Sequence, residues 1–204
     1  MSSRAWSGRV EREARVPSIV VVYGTTEGHT RRVARRAAER LRSHGWDVSL
    51  HDATGLDRPL EPQGVAAVMV LASVHHGRHQ SSVIHFIHAN VRLLESVPSA
   101  FVSVSLTAAL PEESYQDEAS AYVEQLLDAT NWRPSHTLRL AGALKYARYD
   151  FFKRLLLGLL ERSLGPGVVR GEDAEFTDWG ALDVFVDAFV AERLAFAPRG
   201  GGGV

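Results

Sequence analysis

The amino-acid sequence predicts an α/β fold built on a doubly wound, five-stranded parallel sheet in the order 2-1-3-4-5. Three observations lead to this fold class. Short, uncharged, β-branched runs alternate with longer amphipathic segments, which is typical of parallel strands joined by helices. The short runs lack polar alternation, as strands covered on both faces do. The 204 residues are 45% hydrophobic and correspond in length to one globular domain.

The first half of the chain supplies three strands and two helices to this prediction. The helix that begins at Thr30 carries small and branched apolar residues at helical spacing, and Gly45 is expected to end it. The segment 53–64 holds two prolines and two glycines, so a full helix is not expected there. The predicted elements are the strands Ser18–Tyr23, Asp47–His51 (an edge strand) and Ala66–Ala72 and the helices Thr30–His44 and Ser81–Leu94.

The second half continues the alternation. Thr137–Leu144 is predicted as a strand that lies either inside the sheet or at its edge. Residues 1–17 are expected to form a flexible leader, 18–196 the domain and 197–204 a flexible tail. The other predicted elements are the strand Phe101–Leu106 and the helices Ser114–Ala129, Tyr149–Leu164 and Asp178–Leu194.

Composition excludes several classes of function. The 23 basic and 24 acidic residues leave a formal charge of −1, which gives no general attraction to nucleic acid. The absence of cysteine excludes disulfides, thiolate metal sites, cysteine nucleophiles and cysteine-ligated clusters, and it favours a reducing, cytoplasmic compartment. The leader lacks the apolar core of a signal peptide, and the most apolar run, Leu155–Leu160, is too short to cross a bilayer.

The loop after the first strand has the character of an anion site. Gly24 to Thr30 contains three threonines and two glycines between a buried strand and a helix N-terminus, where backbone amides and the helix dipole attract phosphate. A nucleoside-triphosphate loop is excluded because no lysine is present, and the dinucleotide glycine fingerprint is also missing. Hydroxyls in place of cations suit a single phosphomonoester, as in FMN. The alternative is a helix N-terminus that binds no ligand.

The loops after the next two strands could border a flat ring. Ser73 to His79 combines small residues with three histidines, and Thr107 to Pro111 is again small and flexible. Clustered histidines raise the question of a metal. No carboxylate lies nearby in sequence to complete a ligand set, so we expect no metal. A polar surface loop is the alternative for Ser73 to His79.

These segments together carry a resemblance to a known family. The loop Thr25 to Thr30 with its helix resembles the FMN-phosphate loop of flavodoxin-like proteins. The segments between Ile19 and Leu194, taken in their order along the chain, resemble those of the menaquinone-dependent protoporphyrinogen IX dehydrogenases. The further segments are Ala72 to His79, Val97 to Leu106, Asn131 to Pro134, Ala141 to Tyr146, Arg148 to Tyr149 and Thr177 to Trp179.

The resemblance implies a flavodoxin-like fold, FMN as cofactor, and oxidation of protoporphyrinogen IX to protoporphyrin IX with a quinone as acceptor, in haem biosynthesis. It also implies a helical insert after the last strand, here residues 147–176. Carried over by position, the phosphate would be held by Thr25, Thr26, Glu27, Gly28, His29 and Thr30. The isoalloxazine would be bordered by Ser73, Val74, His75, His76 and Gly77 and by Ser105, Leu106 and Thr107.

Two features depart from the family pattern or extend it. Glu112 and Glu113 make the segment 108–114 acidic, whereas the family pattern is basic there, which suits a propionate-bearing porphyrin. The apolar face of the helix 149–164 is wider than one-sided packing needs. This helix would pack on the domain or a second subunit, or it would form a peripheral contact with the inner face of the cell membrane or a lipophilic pocket wall.

Proton removal from the substrate requires a base, and His75, His76 and His79 are the candidates because imidazole titrates near neutral pH. Three alternatives remain for the function. A flavodoxin-like electron carrier would usually be more acidic than this chain. A flavin quinone reductase could use a different donor, and a binding module could have lost the flavin altogether.

Overall fold

The computed structural model describes residues 17–56, 58–144 and 174–193, and it contains the predicted doubly wound sheet. The strands are β1 (Ser18–Gly24), β2 (Asp47–Asp52), β3 (Val65–His75), β4 (Arg78–His79), β5 (Ser99–Ser105), β6 (His136–Ala141), β7 (Ala143–Leu144) and β8 (Ala174–Glu175). The helices are α1 (His29–Ser43), α2 (Ser81–Ser96), α3 (Glu113–Thr130) and α4 (Trp179–Arg193), with short 3-10 turns at Ala53–Gly55 and Thr107–Ala109.

The main sheet has the order β2-β1-β3-β5-β6, and every pairing along this path is parallel. This is the predicted order 2-1-3-4-5 with the short strand β4 left out of the count. β2 and β6 are the edge strands among the described residues. Of the two positions that the sequence left open for the strand near residue 140, inside the sheet or at its edge, the structure shows the edge. The order reverses between β1 and β3, and a ligand site is expected there at the carboxyl ends of the strands.

The two faces of the sheet bury separate apolar cores because successive side chains of a strand point to opposite sides. Ile19 and Val21 of β1 belong to the core under α1 and α4, whereas Val20 and Val22 belong to the core under α2 and α3. The first core includes Phe189 of α4, and the second includes the buried Trp132. Covering on both faces explains why these strands show no polar alternation.

The end of α1 follows the sequence prediction. The amide of Gly45 donates to the carbonyl oxygen of Arg42 at 2.8 Å, and Gly45 has a φ of 85°. A left-handed residue just past the last turn stops a helix, and glycine adopts this conformation without steric cost.

The structure corrects two predicted strands. β3 does not end at Ala72 but continues to His75 and turns back as the antiparallel strand β4. The strand predicted over Thr137–Leu144 is divided at Gly142, where the chain leaves the main sheet. Beyond this point β7 pairs with β8 in a separate two-stranded sheet.

The predicted helix Tyr149–Leu164 and most of the predicted insert 147–176 lie outside the described residues, as do the leader up to residue 16 and the tail. Their assignments stay predictions. The described residues on either side of this gap are paired, with Ala143 opposite Glu175 and Leu144 opposite Ala174. None of the described helices is long and apolar enough to cross a bilayer.

A row of ion pairs joins α1 to the last part of the chain. Arg36 contacts Asp183 and Arg40 contacts Asp187 through two hydrogen bonds each, and His44 Nε2 lies 2.7 Å from the same Asp187 carboxylate. The hydrogen bonds from Arg40 and then from His44 hold the pKa of Asp187 well below its ordinary value. Spacing of four residues places these side chains on one face of each helix, so α4 is held against α1 along its length.

We predict that Asp187→Asn lowers the midpoint of thermal unfolding, because Arg40 and His44 lose a shared carboxylate. The matched control is Asp128→Asn, which affects one exposed pair with Arg133 at 3.3 Å and should leave the midpoint unchanged. The difference should shrink in about 0.5 M salt, since screening weakens solvent-facing pairs. Equal midpoints for the two variants in calorimetry at low salt would contradict a stabilising role for these ion pairs.

Candidate functional site

A cleft opens at the carboxyl ends of β1, β3 and β5. Its first wall is the loop after β1, its second wall the end of β3 with the turn to β4, and its third wall the end of β5 with the segment that follows it. The residues that line it are Thr25, Thr26, Glu27, His29, Thr30, Ser73, Val74, His75, His76, Gly77, Val104, Ser105, Leu106, Thr107, Tyr122, Gly142 and Ala143. The structure therefore brings together every predicted cofactor residue except Gly28, and their role in binding stays a prediction.

The first wall has the geometry of an anion site. Gly28 precedes α1 with a φ of 88°, and its amide donates to Thr25 Oγ1 at 2.9 Å, so it shapes the loop without lining the cleft. Thr30 is fully buried, and its Oγ1 has no hydrogen-bond partner among the described residues. A buried hydroxyl without a partner is costly, as are helix N-terminal amides without acceptors. Both groups suit a negatively charged oxygen in this wall.

Glu27 is the one feature of the first wall that opposes an anion. Its side chain is half-buried, and Oε1 is shielded from solvent with no hydrogen donor among the described residues. A carboxylate in the same loop as a bound phosphate would repel it, so the affinity of this wall for phosphate depends on its amides and hydroxyls.

His29 ties the first wall to the segment that precedes α4. Thr177 donates its hydroxyl proton to the carbonyl oxygen of Ala141 at 3.0 Å, so His29 Nε2, which lies 2.7 Å away, is the donor to Thr177 Oγ1. Burial lowers the pKa of the His29 imidazole, nearby Glu175 opposes this shift, and Arg32 adds to it. His29 is therefore a neutral ring with its proton on Nε2 at neutral pH.

The second wall is a two-residue hairpin. His76 and Gly77 have φ values of 49° and 74°, and His75 pairs with Arg78 across the turn. Positive φ at both central residues defines a type I′ turn, whose twist matches that of the flanking strands. The sequence predicts here a turn of small residues and histidines that borders a flat ring, or a polar surface loop, and it does not predict the antiparallel strand β4. A His-Gly pair between two strand segments was the signal available, but asparagine or aspartate is the usual partner of glycine in this turn.

The hairpin separates the three candidate bases. His75 and His76 line the cleft, with ring centroids 4.1 Å apart. His79 lies on β4, is only 6% exposed, and its Nε2 is 2.9 Å from Ser103 Oγ. Burial lowers the pKa of His79 to about 4. The prediction that His79 could act as a base is not supported by its position, because the type I′ turn directs it into the core and away from the cleft.

The third wall is held by hydrogen bonds among its own residues and by one side chain of α3. Ser105 Oγ lies 3.1 Å from Thr107 Oγ1 and accepts from the amide of Ala108 at 3.2 Å. Gln116 of α3 donates to the carbonyl oxygen of Leu110 at 2.6 Å, which fixes the end of this segment. Small and hydroxyl side chains therefore border the cleft opposite the hairpin.

Sequence reasoning missed several residues of the cleft. Tyr122 of α3 is one of them, because its ring lines the cleft beside Gly77 and its hydroxyl donates to Glu118. Burial, and then Glu118, raises the pKa of Tyr122 to about 12, so the phenol stays protonated. Val104, Gly142 and Ala143 complete the set.

No cluster of three or more metal-ligating side chains occurs among the residues that the structure describes. The histidines of the second wall are thus not accompanied there by the additional carboxylate or imidazole ligands that metal sites generally require.

Comparison with known proteins gives a consistent result. The family described as "Flavodoxin domain" matches residues 20–165 of this chain. A curated relative from Escherichia coli K12, named protoporphyrinogen IX dehydrogenase (quinone), is 30% identical over 162 residues, which cover 78% of this chain and 87% of that protein. A protein of the same name from Leishmania major is 29% identical over 187 residues and covers 90% of this chain and 79% of its own length.

Solved structures agree on the fold. Flavodoxin 1 from Bacillus cereus superposes with a TM-score of 0.50 at 11% identity, over 86% of this chain and 98% of that protein. A short-chain flavodoxin associated with a bacterial microcompartment gives a TM-score of 0.52 at 14% identity, over 85% and 97% of the two chains. Identities this low show the flavodoxin-like fold alone.

The buried His79 predicts a stability loss in mild acid. Because its folded pKa of about 4 lies below the ordinary 6.5, the unfolded chain binds the proton first, and stability falls as the pH drops from 6.5 toward 4. Between about pH 7.5 and about pH 5 this group alone should remove about 2 kcal/mol from the free energy of unfolding.

Urea unfolding of the His79→Gln variant, followed by tryptophan fluorescence, should lack this component of the pH dependence. The exposed His85→Gln variant is the control and should keep it. An identical pH dependence for wild type and His79→Gln would show that His79 is not buried in its neutral form.

Proposed function

Because this chain belongs to the flavodoxin family, we propose that it is an FMN-dependent oxidoreductase that oxidises protoporphyrinogen IX and passes the electrons to a quinone. The name shared by its curated relatives supports the substrate and the acceptor. The cleft supports the cofactor, since its first wall suits a phosphate and its second and third walls suit a flat ring. FMN would supply an acceptor for the electron pairs removed from the substrate and would pass them on to the quinone.

Thr30 carries the cofactor part of the proposal. Its buried Oγ1 lines one end of the cleft and has no hydrogen-bond partner among the described residues. The first amides of an α-helix have no acceptor within the helix, and those of α1 belong to the same wall. A phosphate monoester would satisfy both and would also interact favourably with the positive end of the helix dipole. Thr25, Thr26, Glu27, Gly28 and His29 would complete this wall, and its hydroxyls and amides would outweigh the repulsion from Glu27.

The isoalloxazine would lie between the hairpin and the third wall. Ser73, Val74, His75, His76 and Gly77 would border one side, and Ser105, Leu106 and Thr107 the other. Glycine and hydroxyl residues at these positions leave room for a planar ring and supply hydrogen-bond donors to its heteroatoms. The neutral phenol of Tyr122 closes the side of the cleft next to Gly77.

His75 and His76 remain the candidate bases. Each substrate oxidation releases a proton with the electron pair, and an imidazole in the cleft can take it up directly or through a water molecule. Both rings border the cleft, so either could reach a substrate there.

The charges around the cleft are compatible with an anionic substrate. Glu112 and Glu113 are exposed and are not among the lining residues, so the acidic segment does not form the wall itself. Arg78 is exposed and follows directly on Gly77, where its guanidinium could pair with a propionate. We further propose a cytoplasmic protein that contacts the membrane, or a second copy of itself, through residues 149–164, which lie outside the described part of the chain.

The first test concerns the cofactor. Wild-type protein mixed with FMN and desalted should retain flavin absorbance near 1:1. Thr30→Val should raise the Kd for FMN about tenfold or more, because a hydrogen bond to a charged group is lost. The same change should leave the apo-protein equally stable or more stable, since it replaces a buried hydroxyl that lacks a partner among the described residues with a methyl group.

Thr130→Val is the matched control for that measurement. Thr130 is also buried, but its hydroxyl donates to the carbonyl oxygen of Leu126 at 2.8 Å on the far end of α3. This variant should bind FMN normally and should not gain stability. A wild-type protein that retains no FMN would refute the cofactor assignment, and an unchanged Kd in Thr30→Val would refute the role of Thr30.

The second test concerns the reaction. Anaerobic mixing with protoporphyrinogen IX should reduce the bound flavin, and a quinone should reoxidise it. The double variant His75→Ala/His76→Ala should slow flavin reduction by about 100-fold, the scale of general-base catalysis, with FMN retained. The two single variants show which ring acts, and the exposed His85→Ala is the control.

If the bound flavin were reduced only by another small-molecule donor, a quinone reductase would be favoured. If it were reduced only by a protein partner, an electron carrier would be favoured. If the double histidine variant were as fast as wild type, neither ring would be the base.

A further inference from the structure

Gln80 connects the first and second walls of the cleft without lining it. It is the residue just before α2, and its Nε2 donates to Thr26 Oγ1 at 3.1 Å and to Ser73 Oγ through a short hydrogen bond. Thr26 follows β1, whereas Ser73 belongs to β3, and both line the cleft. One amide group therefore fixes the positions of two hydroxyls on different walls.

The direction of these hydrogen bonds determines what the hydroxyls can do. A side-chain amide nitrogen carries two protons and accepts no hydrogen bond, so both hydroxyl oxygens act as acceptors toward Gln80. Each hydroxyl then keeps its own proton for a third partner. Because Thr26 and Ser73 border the cleft, those protons are available to acceptor atoms of a bound ligand.

Packing holds the amide of Gln80 in place. The backbone carbonyl of Gln80 accepts from the amides of Val83 and Ile84 at 3.1 and 3.3 Å, which anchors the residue at the start of α2. A Cβ at Gly24 would lie 2.4 Å from Val83 Cγ2 and 3.2 Å from Gln80 Oε1, so only glycine leaves room at the end of β1. Oε1 is buried and has no hydrogen-bond partner within the described ranges.

We propose that Gln80 sets Thr26 and Ser73 as hydrogen-bond donors toward the ligand, and so adapts a cleft whose described lining holds no lysine to a phosphate monoester with a carbonyl-bearing ring. Thr26 donates to the phosphate and Ser73 donates to an acceptor on the ring. Gln80 is a positioning residue, because it acts only through these two hydroxyls. The inference rests on the proposed cofactor site and adds a residue that determines its preference for an anion.

Two substitutions separate this role from simple packing. Gln80→Met keeps the approximate size but forms neither hydrogen bond, so the hydroxyls lose their alignment but keep their protons. Gln80→Glu keeps the shape, but a carboxylate only accepts, so it takes the protons of Thr26 and Ser73 and reverses their direction. Ser81→Glu adds the same charge at the next, exposed position, where it suits the N-terminus of α2, and it serves as the charge control.

The experiment measures Kd values for FMN and for riboflavin by quenching of flavin fluorescence in all four proteins. We expect the Kd for FMN to rise about 3- to 10-fold in Gln80→Met and about 100-fold in Gln80→Glu, which is the range for hydrogen bonds to a charged group. The Kd for riboflavin, which lacks the phosphate, should rise less than the Kd for FMN in both variants. Ser81→Glu should stay within about threefold of wild type, since exposed charges act weakly through solvent.

Two results would overturn the inference while leaving the proposed function intact. One is a wild-type FMN affinity in Gln80→Glu, and the other is an equal loss for FMN and riboflavin in both variants, which a purely structural role would give. If Gln80→Glu does not fold, a cycle of Thr26→Val with Gln80→Met replaces it. The inference requires that Gln80→Met raises the Kd for FMN when Thr26 is present. In the Thr26→Val background the same substitution should raise the Kd much less.

A parallel measurement does not depend on flavin. Inorganic phosphate at about 10 mM should raise the melting temperature of wild type but not that of Gln80→Glu, by linkage between binding and stability. If wild type binds no FMN yet responds to phosphate in this way, the proposed function fails and the inference about the hydroxyls stands. If phosphate has no effect on wild type, the inference also fails.

Discussion

The close approach of Gly24 to the start of α2 is the constraint on which the site depends. At this point β1 ends beside β3, with Gly24 opposite Ala72, and a side chain on Gly24 would collide with Val83. The absence of a Cβ lets α2 begin directly against the end of β1. As a result Gln80 reaches both Thr26 in the loop that follows β1 and Ser73 near the end of β3. Two segments separated by about fifty residues in the chain thereby share one hydrogen-bonding group.

α1 carries this constraint to the other side of the sheet. Its N-terminus holds Thr30 under the first wall, and its exposed face pairs through Arg36 and Arg40 with carboxylates of α4. The segment just before α4 reaches back to the cleft, where Thr177 joins His29 to Ala141. The helix that would bind the phosphate therefore also holds the segment before α4, and Ala143 of the cleft wall pairs with Glu175 across β7 and β8.

The prediction from sequence was most accurate where one residue type has one physical use. Glycines and threonines between a buried strand and a helix predicted the first wall, and in the structure Thr25, Thr26 and Thr30 line the cleft while Gly28 shapes the loop. It was least accurate at the hairpin, because the polar residues Ser73 and His75 resemble the start of a loop although Ser73 to His75 extend β3. His79 was grouped with His75 by proximity in sequence, but the two-residue turn and the pairing of β4 send it into the core beside Phe101. Periodicity could not show that Tyr122 borders the cleft, since an inward-facing helical residue can contact either the core or a groove.

The sequence by itself determined the order of strands and helices, the exclusion of cysteine chemistry, and the hydroxyl-rich character of the first wall, because these follow from local patterns of polarity and backbone preference. Only the tertiary structure decided which hydroxyls have partners and in which direction their hydrogen bonds run. One example is Thr30, whose hydroxyl has no partner among the described residues. Another is the pair Thr26 and Ser73, whose hydroxyls accept hydrogen bonds from Gln80. A hydrogen bond joins atoms that are distant in the chain and close in space, so its existence and direction depend on the packing of strands and helices that no local pattern specifies.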